Sequence, residues 1–90
     1  MFVTAGGSSG AIFWRAIERD NVIGAEAAAR EFETLPLDFA LALVHLYGRK
    51  ADKRYERAAL RYLERYLAET NPSLEDAAAM AALLVERKPR

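Results

Sequence analysis

Cysteine is absent from the chain and histidine occurs once, at His45. The first absence removes disulfides and thiolate ligands, and the second leaves no imidazole pair, so neither a zinc site nor a haem site is expected. No window approaches the ~18 uninterrupted apolar residues of a membrane span. Met1-Phe2-Val3-Thr4-Ala5 has neither the basic stretch nor the apolar core of a signal peptide, and a cytoplasmic protein without membrane contact is the expectation. Net charge is also missing. Thirteen Lys and Arg balance thirteen Asp and Glu, which argues against a dedicated nucleic-acid binder, since such domains are usually basic.

Residues that could carry a reaction do not converge. Ser8, Ser9 and Ser73 fall in leader or capping positions, and His45 stands in the most apolar stretch of the sequence, beside Leu43, Val44 and Leu46. A neutral imidazole at the core edge, holding one hydrogen bond, is the expected state of His45. Glu31 with Glu33, and Glu75 with Asp76, are spaced so that a helix splays them apart. The sequence therefore predicts no enzyme, no catalytic residue, no metal and no cofactor.

What is present is apolar and helical. Ninety residues with 52% apolar and 29% charged composition suit one folded domain, expected over residues 11–88 behind a flexible leader, 1–10, that carries three glycines and two serines. Gly-Gly-Ser-Ser-Gly before a helix also has the form of a phosphate-binding nest, but it lacks the Gly-Lys-Ser/Thr ending of a P-loop. Ile12, Phe13, Ala16 and Ile17 recur at helical spacing, and Arg19-Asp20-Asn21 supplies a turn and a cap for a second helix from Val22 to about Glu33. One continuous helix from Ser9 to Glu33 is the competing reading. Gly24 lowers helix propensity and permits a close helix contact.

Pro36 places the start of a third helix near Leu35 to Leu37. Phe39 to Tyr47 is apolar around nearly the whole circumference, so this helix, about 37–48, should be the buried centre of the fold, ended by Gly48. Asp52 then caps a fourth helix from about Lys53 to Glu69. Asn71-Pro72-Ser73 breaks the chain, and Ser73-Leu74-Glu75-Asp76 opens a fifth helix that runs to about Arg87. The expected fold is all-α: a compact five-helix domain of stacked helical hairpins.

A weak internal repeat supports the hairpins. Ala25-Glu26-Ala27-Ala28-Ala29-Arg30 is answered by Glu56-Arg57-Ala58-Ala59-Leu60-Arg61, and Leu37-Asp38-Phe39-Ala40-Leu41 by Leu74-Glu75-Asp76-Ala77-Ala78. Stacked hairpins bury faces that none can bury alone, and they present surfaces to partners. Through these segments, with Glu18-Arg19-Asp20-Asn21-Val22 and Arg54 to Leu63, the chain resembles small helical proteins of unknown function common in actinobacteria, which implies a bacterial setting. It also loosely resembles tetratricopeptide-type hairpins. It departs from these in its repeat offsets of 31 and 37 residues and in lacking their Trp, Gly and Pro positions.

Two surfaces stand out. At ~100° per residue, Lys50, Lys53, Arg54, Arg57, Arg61 and Arg65 fall along one ridge, opposite the apolar arc of Tyr55, Ala58, Ala59, Tyr62, Leu63 and Tyr66. Such a ridge is either a solvated face or a track for a polyanion backbone. The three tyrosines read as core-edge rings with wet hydroxyls. The first and fifth helices carry more apolar surface than one neighbour can cover, with Trp14, Met80, Leu83 and Leu84 as candidate interface residues. The leading expectation is a protein–protein interaction module that forms a homodimer. Weak, sequence-independent nucleic-acid binding through the ridge is the alternative.

Overall fold

The protein is described by a computed structural model in which residues 8–90 are placed. Residues 1–7 of the expected leader lie outside the described residues. Among those described there are five α-helices and no strand: α1 (Ser9–Glu18), α2 (Val22–Ala29), α3 (Leu37–Arg49), α4 (Tyr55–Thr70) and α5 (Leu74–Glu86). The all-α, five-helix expectation holds. Ser8, Ser9 and Gly10 belong to the domain, however, because the Ser8 hydroxyl accepts from the Ala11 amide at 3.1 Å and starts α1 there.

Residues 9–33 do not form one helix. Asp20 adopts a left-handed φ of 53°, the Asn21 amide donates to the Ala16 carbonyl and the Asp20 amide to that of Ile17, which is a Schellman ending. Asn21 then caps α2 by accepting from the Gly24 amide at 3.0 Å. A Cβ on Gly24 would fall 2.5 Å from the side-chain Nδ2 of Asn21 and 3.4 Å from Ala16 Cβ, so glycine leaves room for both the capping side chain and the close contact with α1. The second helix stops at Ala29, short of Glu33. Bonds of the i to i+3 type from Glu31 and Phe32 tighten its end, and Phe32 lies against Phe39 with ring centroids 5.3 Å apart.

α3 is the central element, touching α1, α2 and α4, and no residue from Phe39 to Gly48 is exposed. Its two sides serve two packed clusters. Leu46 joins Phe13, Ala16, Ala25 and Ala28, while Val44 and Tyr47 join Tyr55, Ala59, Tyr62 and Leu84. Leu43 and Val22 pack against both. Gly48 does not end the helix as expected. The left-handed residue is Ala51, with φ 49°, and the bonds from Ala51 to Gly48 and from Asp52 to Tyr47 close a second Schellman ending. Gly48 has a different reason to lack a side chain: a Cβ there would meet the Arg87 carbonyl and the Tyr55 ring, each at 3.2 Å.

The start of α4 is also displaced from Lys53. An Asp52 carboxylate oxygen accepts from the Arg54 amide at 2.9 Å, holding residues 52–54 in a turn, and the helix proper begins at Tyr55. α5 begins as expected, with the Ser73 hydroxyl accepting from the Asp76 amide at 3.1 Å. It runs antiparallel to α4, since Tyr55 meets Leu84 and Glu56 meets Lys88.

Candidate interaction face

The basic ridge is divided by its own neighbours. Arg54 pairs with Asp52 at 2.8 Å and with Glu26 at 2.5 Å, and its guanidinium lies 4.8 Å from the centre of the Tyr47 ring. The Tyr47 hydroxyl donates to the same Glu26 carboxylate. Hydrogen bonding from Arg54 holds the Asp52 carboxyl down to about 2. Burial and the Glu26 bond push the Tyr47 phenol up to about 12. These four residues tie α2 to the α3–α4 hairpin, so Arg54 is a structural clamp. Arg65 is paired with Glu69 at 2.7 Å one turn along α4, and Lys50 sits apart at the end of α3. Lys53, Arg57 and Arg61 are the cations of α4 and its approach that make no ion pair among the described residues.

Their position runs against the helix. Basic groups near an N-terminus and acidic groups near a C-terminus oppose the macrodipole, at a cost of about 0.3–1 kcal/mol each when exposed. α4 has Lys53, Arg54 and Arg57 at its N-terminal end, offset in part by Glu56 in its first turn, with Glu69 in its last turn and no basic residue there.

Beside these cations the surface turns apolar. α4 and α5 meet along a groove lined by Ala59, Leu60, Leu63, Ala81, Leu84 and Val85, with Glu56 and Lys88 paired at one end. Its outer walls are bare: Leu60 is 61% exposed, Val85 73% and Leu67, further along α4, 44%. Leu60, Leu63 and Leu67 also border the strip that holds Lys53, Arg57 and Arg61 together with Glu56 and Glu64. At about 270 Å³ the groove falls below the ~300–1,000 Å³ of a small-molecule pocket, while side chains from one face of a helix would fill it.

The interface residues expected from the sequence fare unevenly. Leu84 is 5% exposed and belongs to the core, because the Tyr55 hydroxyl donates to its carbonyl at 2.6 Å and draws the α5 end inward. That bond also corrects the expectation of a wet Tyr55 hydroxyl. Met80 packs against the same cluster and Leu83 is half-buried. Trp14 packs edge-on against Phe13 and Phe39, at 5.3 and 4.8 Å, and keeps 38% of its surface exposed as a lid on the other cluster. Leu60, Leu67 and Val85 were not singled out in the sequence. The signal was available, since Leu60 and Leu67 are seven residues apart and fall between the buried arc and the cations.

His45 Nδ1 is buried without a hydrogen-bond partner among the described residues, contrary to the single bond expected. Burial lowers its pKa, and Arg87 and Arg49 lower it further. No group of three or more His, Asp or Glu among the described residues is placed to hold a metal ion, and no helix there is long and apolar enough to cross a membrane. Comparison of the chain with protein-family models, curated proteins and solved structures finds no match.

Proposed function

We propose that the protein is a non-catalytic helical interaction module, working in the bacterial cytoplasm, whose α4–α5 groove receives an amphipathic helix of a protein partner. The observation that carries this reading is the unroofed groove, with Leu60 and Val85 standing exposed on its opposite walls. Full burial of a leucine or valine contributes about 1.5–3 kcal/mol, so covering the exposed parts of Leu60, Leu67 and Val85 supplies part of the ~8 kcal/mol of a micromolar contact, and the partner's own apolar face supplies the rest. Labelled amphipathic helical peptides of varied charge, titrated by fluorescence anisotropy, test it. Binding should occur and should vanish in the double variant Leu60→Asp with Val85→Asp, which leaves the core untouched. A panel that binds neither parent nor variant rejects the reading.

Backbone binding to nucleic acid is a second reading, favoured by the three unpaired cations Lys53, Arg57 and Arg61. Affinity should then fall by roughly 0.9 log units per phosphate contact for each decade of salt on duplex DNA. Electrophoretic shift of mixed oligonucleotides, lost in Arg57→Glu with Arg61→Glu, is the supporting result.

A further inference from the structure

We infer that the end of α5 is a proton-released latch: a proton taken up by His45 loosens α5 from α3 and so frees the Val85 wall of the groove. The interaction-module reading gives His45 no task. Its place in the fold gives it one.

Both flanks of α5 are in use. Ala81, Val85 and Lys88 line the groove with α4, and helical spacing carries Met80, Leu83 and Arg87 round to the flank that meets α3. Met80 and Leu84 pack in the cluster that holds Val44 and Tyr47 of α3. Where α5 ends, the chain comes so close that the Arg87 carbonyl would stand 3.2 Å from a Cβ on Gly48. Gly48 is three residues past His45, so the two share a side of α3, and the end of α5 lies over it.

Nδ1 of His45 is buried without a hydrogen-bond partner among the described residues. A neutral ring tolerates this for the loss of one bond. In an imidazolium both nitrogens are donors, so the Nδ1 N–H would bring positive charge to a place that offers no acceptor. The surrounding charges make matters worse. Arg87 from α5 and Arg49 from the next turn of α3 are the cations that act on the ring, adding to the effect of burial. Asp20, after α1, is taken by Arg49 at 3.0 Å, and Asp38, two turns back on α3, accepts from the Phe39 amide. Glu26 of α2 is bonded to Tyr47, on the far side of α3 from His45, and Tyr55 of α4 gives its hydroxyl proton to the Leu84 carbonyl.

α5 is the element that can yield. The backbones of α1, α2 and α4 pack closely on α3, whereas α5 reaches it through side chains and the one approach at Gly48. Arg87 makes no ion pair among the described residues, and the Lys88–Glu56 pair beside it is exposed on both partners. Withdrawal of this end removes a cation from His45 and lets water reach Nδ1. The open form then binds a proton near the ordinary 6.5 of a histidine, which the closed form accepts only at lower pH, so acid favours opening.

Amide exchange at pH 7, 6 and 5, each rate divided by that of an unstructured peptide at the same pH, tests the latch. Protection of the amides from Met80 to Glu86 should fall once the pH is below about 6.5, by no more than ~10-fold per unit for a single proton and by about tenfold in all at pH 5. Protection of α1 and α2 should stay level. His45→Leu and His45→Gln, neither of which titrates, should both lose the fall in α5, and either one that folds suffices. Unchanged α5 protection in the parent, an equal fall in the His45 variants, or a fall of the same size in every helix overturns the latch. The protein is measured without a partner, so peptide binding to the groove is judged separately and failure here leaves the interaction module standing.

Discussion

Single residues carry strain and charge that measurement can read. Ala51 holds a left-handed conformation that costs an L-residue about 1 kcal/mol and costs glycine nothing. Ala51→Gly should raise stability by about 0.5 kcal/mol, after the greater freedom of the unfolded glycine is offset, and urea denaturation would register it as a higher midpoint with unchanged slope. A lower midpoint would mean that the Ala51 methyl is in a favourable contact. His45 and Asp52 give separate pH windows. The unfolded chain protonates His45 near its ordinary 6.5 and the folded chain only at lower pH, so between those values the unfolded state binds more protons. Stability should fall as pH drops below about 6.5, and His45→Leu should flatten that part of a thermal-melt profile. Asp52 adds a further loss between its usual 3.8 and about 2, which His45→Leu should leave in place. Of the left-handed residues, Asp20 and Asn71 stand in turns that the sequence marks, and only Ala51 carries no such mark. Glycine is the common helix terminator and Gly48 has the sequence position of one, yet its place is dictated by the closeness of Tyr55 and Arg87, which no local pattern encodes.

At the scale of elements, the helices and their order were legible because each has its own periodicity and punctuation: Asn21, Pro36 and Ser73 start helices where expected. The central role of α3 followed from its unbroken apolar circumference. Leu43 packs against both clusters, so Leu43→Asp should cost on the order of 3 kcal/mol, a large part of a small domain's stability, and a thermal melt within a few degrees of the parent would remove α3 from the centre. The candidate site was only partly legible. Regular spacing put six cations on a ridge, but the partners that neutralise Arg54 come from α2 and the preceding turn, and a separation of 28 residues between Arg54 and Glu26 is invisible to periodicity. Likewise, Leu84 and Val85 are neighbours in sequence, and only the packing of α4 decides which of them is buried.

The whole molecule measures 44 × 30 × 17 Å, a slab less than two helix diameters thick, taking ~10–12 Å per helix. Hairpins laid side by side give this shape, and among the described elements the backbone of α5 packs closely only on α4. A helix held mainly by α4, by Leu84 and Met80 in the cluster shared with α3, by a Tyr55 hydroxyl and by the Lys88–Glu56 pair has fewer attachments than α3 or α4 and can open while the rest of the slab stays folded. Amide hydrogen exchange should therefore be faster in α5 than in α3 or α4. Tyr55→Phe, which leaves the Leu84 carbonyl unpaired, should quicken α5 exchange by about tenfold while α2 keeps the parent rate. Uniform quickening in every helix would instead mark the chain as a single cooperative unit. If α5 does open by itself, the outer wall of the groove, with Val85, is the least permanent part of the molecule. Whatever binds there also selects the closed form, so occupancy would be recorded as a slowing of the α5 amide clock.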